Sequence, residues 1–187
     1  MNEWLSQGRS VIGVFGHYGN WEYITAYQLH CPRVHVMQLY KRLTNEFSEN
    51  LMLHIRQRFG SECVEAGNAY RRLLAAKRSG EQVAVGFIAD QAVWPAHFWL
   101  EFMHQDSPVF EGAQRISSKL DFGLVYFDIY KVKRGYYEVK VIPMAEHPAE
   151  FPEHALTERY FRLLENTIRR NPEYYLWSHN RWKFKRS

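Results

Sequence analysis

The stretch Val11-Ile-Gly-Val-Phe-Gly-His-Tyr-Gly-Asn-Trp-Glu22 constrains the fold of this chain more than any other. Val11 to Phe15 is a short apolar run of β-branched and aromatic residues, stopped by Gly16, the pattern of a strand buried inside an α/β sheet. Asn20 then offers a helix N-cap and Glu22 falls in the first turn, so a helix is expected as far as about Leu29. This places His17 just past the carboxyl end of a strand, in a Gly-rich turn, where open α/β sheets bind their ligands. An imidazole there suits a general base, because its unperturbed pKa lies near neutrality. Glu22 would accept a proton from the second ring nitrogen, and the N–H groups of the helix start would receive a developing oxyanion. The plainer reading of an isolated His-x-x-x-x-Glu is a strand-turn-helix corner with a surface histidine.

The rest of the chain repeats the alternation. Arg33 to Tyr40 reads as a second strand, in which His35 is a packed residue and not a ligand. A helix is expected from Glu46 to Phe59, stopped by Gly60, and another from a cap at Asn68 through Lys77 to Gly80. Gln82 to Ala89 is nearly continuous apolar sequence, as a central parallel strand should be, and it runs into Asp90-Gln91. If the strands are parallel, that carboxylate and amide face the same crevice as His17. Val93 to Phe110 is aromatic, broken by Pro95 and Pro108, and is expected to be irregular, either core or an apolar lip. Gly112 to Leu120 is a short helix. Gly123 to Val132 and Tyr136 to Ile142 form a hairpin around Lys133-Arg134-Gly135. Thr157 to Arg170 is a helix whose Tyr160, Phe161, Leu164 and Ile168 make a core stripe.

This order predicts an α/β fold, a mainly parallel central sheet flanked by helices, with a hairpin and a helix towards the C-terminus. At 187 residues and 46% hydrophobic, the chain is long enough for one domain with a sizeable core. A net charge of +4 favours anionic partners. Cys31 and Cys63 have neither metal nor redox spacing, and no Walker loop or dinucleotide fingerprint is present. No run reaches the length of a membrane-spanning helix.

Gly16-His-Tyr-Gly-Asn-Trp-Glu22 resembles the active-site block of the lipid A biosynthesis acyltransferases, the late lauroyl and myristoyl transferases. Three later segments resemble family blocks in the same order: Tyr40-Lys41-Arg42 with downstream Asn45, Asp90-Gln91, and Trp177-Ser-His-Asn-Arg-Trp-Lys183. Two positions depart from the family pattern: Lys41 stands where an arginine is usual, and Glu111 where a threonine is usual. The resemblance implies a catalytic dyad of His17 and Glu22. It also implies a substrate-binding set of Asn20, Tyr40, Lys41, Arg42, Asp90, Gln91 and Arg181, with the phosphate-facing role open to either Lys41 or Arg42. The C-terminal block would close the core against the sheet or send Arg181 towards the site. The implied reaction moves a fatty acyl group from an acyl-carrier-protein or acyl-CoA thioester to a hydroxyl of an anionic lipid A-type glycolipid. The thioester is a co-substrate, and neither a cofactor, a metal nor nucleic acid is expected. Two alternatives remain: transfer to another glycolipid or phospholipid precursor, and an inactive lipid- or carrier-binding fragment. The resemblance further implies that residues 1–187 are one acyltransferase-like domain lacking a membrane-anchoring N-terminal region. The full-length protein would then work at a membrane surface, the cytoplasmic face of the bacterial inner membrane, while this chain by itself would be soluble.

Overall fold

The computed structural model describes residues 1–186. After a short helix α1 (Asn2–Ser6), strand β1 (Val11–Phe15) is buried at every position. The chain then passes through a 3-10 segment (Trp21–His30), β2 (His35–Tyr40), α2 (Glu46–Gln57), β3 (Glu62–Glu65), α3 (Ala69–Ser79) and β4 (Val83–Ile88). A small hairpin, β5 (Phe98–Phe102) and β6 (Gln105–Val109), leads to α4 (Gly112–Leu120). Then come β7 (Gly123–Lys133), β8 (Tyr136–Ala145) and α5 (Ala155–Arg170).

Six strands form one sheet in the order β3-β2-β4-β1-β7-β8. All neighbours are parallel except β7 and β8, as the near-continuous apolar runs of β1 and β4 require. Crossovers from β1 to β2 and from β2 to β3 run one way along the sheet, while those from β3 to β4 and from β4 to β7 run the other. Right-handed connections therefore put the 3-10 segment and α2 on one face and α3 and α4 on the opposite face, and the contacts of α5 with α4 place it there too. The contacts of α2 with the 3-10 segment, and of α5 with α4, β1 and β7, agree with that division. Two glycines let the layers close. A Cβ on Gly13 would lie 2.3 Å from the Phe127 ring, and one on Gly16 would lie 2.6 Å from Leu164 Cδ1 on α5. Tyr160, Phe161, Leu164 and Ile168 of α5 are buried, as their helical spacing predicts, and Leu156 is buried with them.

Some expectations need correcting. Trp21–His30 is a 3-10 segment instead of an α-helix, and the Asn20 side chain caps nothing. Its sequence explains this, since its hydrophobic residues do not gather on one α-helical face and the segment must lie flat across the sheet. Asn45 is the working cap of this half, accepting from Ser48 N at 2.9 Å to start α2. The aromatic stretch before α4 is not irregular but carries the β5–β6 hairpin, with Leu100, Phe102 and Val109 in the core. Its turn uses Met103 and His104 at positive φ, without the glycine that would have announced it. Among the described residues no helix is long and apolar enough to cross a membrane.

Candidate active site

β1 and β4 are adjacent and parallel, yet the chain leaves them in opposite directions, so a crevice opens at their carboxyl ends. His17 stands at one lip and Asp90 at the other. Asp90 is buried to 1% exposure and grips His17 at two points. Its Oδ2 accepts the His17 backbone N–H at 3.0 Å, and its Oδ1 lies 2.5 Å from His17 Nδ1. Burial by itself pushes the Asp90 carboxyl up. The hydrogen bonds from His17 and the charges of His17 and Arg181 outweigh that and hold it below the usual carboxylate range. An ionised Asp90 makes Nδ1 the protonated nitrogen, which leaves Nε2 as the basic one. Nε2 has no hydrogen-bond partner among the described residues, and the ring is edge-on to Trp21 at 5.2 Å between centroids.

The His17 turn is pinned from outside the sheet. Gly19, at φ +58°, donates to Tyr174 O at 2.9 Å, and Leu176 N donates to His17 O at 3.0 Å. The Tyr18 hydroxyl donates to Asn171 O at 3.1 Å. The C-terminal segment thus pairs with the turn like an added strand, through the bridge between Tyr18 and Tyr175. The same segment reaches under the crevice. Arg181 is 3% exposed, with Nη2 3.4 Å from Asp90 Oδ2, and it donates to the Tyr175 hydroxyl, whose pKa burial pushes up. His179 Nε2 accepts the Ala92 N–H at 3.1 Å, and burial pushes its imidazole down, which keeps it an acceptor.

The expected pairing of Glu22 with His17 is not what the geometry holds. Glu22 carries a bidentate ion pair to Arg56 of α2, Oε1 to Nη2 at 2.6 Å and Oε2 to Nε at 3.1 Å. The reason is positional. Glu22 opens the 3-10 segment on the α2 face of the sheet, where a guanidinium meets a carboxylate as a planar fork. His17 has meanwhile found a carboxylate on the neighbouring strand. Arg181, expected to reach a substrate, is instead sealed beneath Asp90. Of the other residues singled out, Asn20 and Tyr40 are half-buried beside the 3-10 segment and at the end of β2. Lys41, Arg42 and Gln91 are exposed and form no side-chain hydrogen bond or ion pair among the described residues. The structure brings Asp90 to His17 but does not bring Gln91 there.

Arg56, Tyr175 and His179 belong to the surroundings of the crevice, and the sequence reading names none of them as a site residue. Arg56 lies in an amphipathic helix whose basic residues look like solvent-facing charge, and Tyr175 looks like core. His179 alone was signalled, as part of the Trp-x-His-x-Arg block.

A groove of about 980 Å³ opens beside the site, on the α2 face. Asn20 and Glu22 stand at its near end. Its walls are Tyr23 and Tyr27 of the 3-10 segment, Ile55 of α2, and the inward-alternating Phe127, Ile129, Val139 and Val141 of the β7–β8 hairpin. Such a lining suits a hydrocarbon chain and offers it few hydrogen bonds to satisfy. The family model for bacterial lipid A biosynthesis acyltransferases matches residues 1–184. No curated protein matches the chain.

Proposed function

The chain belongs to the bacterial lipid A biosynthesis acyltransferase family and is an acyltransferase of the lipid A type; from that premise we propose how this site performs the transfer. The donor is a fatty acyl thioester of a carrier protein or of coenzyme A, and the acceptor a hydroxyl of an anionic glycolipid. His17 Nε2 takes the hydroxyl proton as the oxygen attacks the thioester carbonyl. The carbon–oxygen bond forms, the carbon–sulfur bond breaks, and the departing thiolate takes the proton back from the imidazolium. Asp90 fixes the tautomer and offsets the positive charge that develops on the ring. No acyl-enzyme is needed, because the base activates the acceptor directly.

One observation carries this reading: the two-point contact between Asp90 and His17, which leaves Nε2 as the basic nitrogen, without a hydrogen-bond partner among the described residues. Glu22 takes part through Arg56, fixing a cation beside the 3-10 segment that begins at the crevice. Lys41 and Arg42, exposed at the end of β2 and unpaired among the described residues, meet the acceptor's acidic groups. The apolar groove receives the acyl chain. The test is thiol release and acyl transfer by the purified chain, compared with His17→Ala and Asp90→Asn. Loss of a positioned base costs about two to four orders of magnitude, so both variants should drop turnover by that much while keeping the circular dichroism spectrum. Turnover within a few-fold of the parent in His17→Ala would overturn the mechanism. A panel of acceptor lipids, read alongside, separates transfer to a lipid A-type glycolipid from transfer to another hydroxyl.

A further inference from the structure

β7 and β8 outrun the sheet they belong to. β7 pairs with β1 only as far as Tyr126, and from Phe127 to Lys133 its one strand partner is β8. The two strands therefore project as an arm roughly 20 Å beyond the end of β1, on the side of the molecule where His17 sits. The base of the arm is anchored. Tyr137 packs edge-on against Tyr23 at 5.4 Å, Lys131 lies over the Tyr174 ring at 4.7 Å, and Arg170 lies over Tyr130 at 3.7 Å. Beyond that anchorage, Val132, Lys133, Arg134, Gly135 and Tyr136 are exposed, with Val132 at 58% and Tyr136 at 60%.

The composition of the arm is one-sided. From Lys131 to Lys140 it carries four cations, Lys131, Lys133, Arg134 and Lys140, against the single acid Glu138. Its tip sets an aliphatic and a tyrosine side chain among these cations, and Lys133 already lies over the Tyr136 ring at 4.2 Å. Basic residues are drawn to anionic headgroups, while a tyrosine settles at the boundary between headgroup and hydrocarbon. The alternate face of the same two strands, Ile129, Val139 and Val141, lines the apolar groove. The arm thus joins a charged, interface-seeking tip to a slot that fits a hydrocarbon chain.

We infer that the tip of the β7–β8 hairpin is a docking element for an anionic bilayer surface, holding the groove mouth against the lipid from which a chain enters. The groove's part in this rests on the acyl-transfer reading above. The contact with headgroups does not, and it is measured without catalysis, so either can fail while the other stands.

The experiment is co-sedimentation of the whole chain with vesicles of phosphatidylcholine mixed with phosphatidylglycerol, and with phosphatidylcholine alone. Each basic residue close to an anionic surface adds roughly fivefold to binding at low salt. Lys133→Glu/Arg134→Glu should therefore weaken binding to the anionic vesicles by about tenfold or more. Arg71→Glu/Arg78→Glu on α3 makes the same change in net charge and should stay within about threefold. Val132→Asp should weaken the binding that remains at high salt, where charge is screened. Equal losses from the two charge-reversal pairs would show attraction of the whole molecule's charge and overturn the proposal. So would unchanged binding in the hairpin pair, or displacement of the chain from vesicles by inorganic phosphate but not by sodium chloride of equal ionic strength, which would mark a phosphate pocket instead of a surface contact. The neutral pair Lys133→Gln/Arg134→Gln gives the same reading if charge reversal disturbs the hairpin. Unchanged melting curves identify the variants that count.

Discussion

At the scale of single residues, Asp90 and Glu22 hold different partners. Asp90 touches the imidazole, whereas Glu22 touches the guanidinium of Arg56 on α2. A residue that acts through another loses its effect once that other is gone. Glu22→Gln and Arg56→Met should each lower turnover, and the double variant should be no worse than the more damaging single one. Kinetics of the three variants decide it, since additive losses would mean that Glu22 and Arg56 serve separately. Sequence spacing made Glu22 the obvious partner because it is five residues from His17, whereas Asp90 is seventy-three residues away. Nothing in a single sequence measures which strands lie side by side. Asp90 was legible as a strand-end carboxylate facing the same crevice; its grip on the ring became visible only once β4 was seen to pair with β1.

At the scale of elements, what was readable followed hydrophobic period. β1, β4 and α5 announced themselves because their burial is uniform along a strand or confined to one helical stripe. The 3-10 segment and the β5–β6 hairpin did not, because one lacks a helical stripe and the other turns at Met103 and His104 without glycine. The packing of α5 against the His17 turn gives a sharp test. A methyl group at Gly16 would sit 2.6 Å from Cδ1 of the wholly buried Leu164, so the Leu164 side chain or the turn has to shift. Gly16→Ala should cost about 1–3 kcal/mol in urea unfolding, the usual range for an overpacked core. It should lower turnover as well where the strain falls on the turn that carries His17. A variant as stable and active as the parent would mean that α5 yields without moving the turn.

At the scale of the whole molecule, the charges that tie the sheet together lie far from the site. Arg72 of α3 bridges Glu62 of β3 and Glu81 before β4, while His35 of β2 contacts both carboxylates. Hydrogen bonds from Arg72 first, and then from His35, hold the Glu81 carboxyl down at about 2. A carboxyl depressed in the folded state binds fewer protons there than in the unfolded chain, so its contribution is complete above the ordinary glutamate range. It drains away as pH falls from about 4.5 to about 2. The gap in unfolding free energy between the parent and Glu81→Gln should therefore be widest near neutrality and close towards pH 2. A gap that did not vary with pH would mean the cluster stabilises by packing alone.

The pins on the His17 turn have a consequence in time. Tyr174 and Leu176 hold that turn, and Arg181 stands beneath Asp90. A ribosome releases the chain from its N-terminus, so β1, β4 and the carboxylate between them are made long before the residues that brace them. The nascent protein can lay down most of its sheet while its crevice is still unbraced. Bracing of the His17 turn and of Asp90 therefore waits until the segment around Arg181 has been made and has folded back.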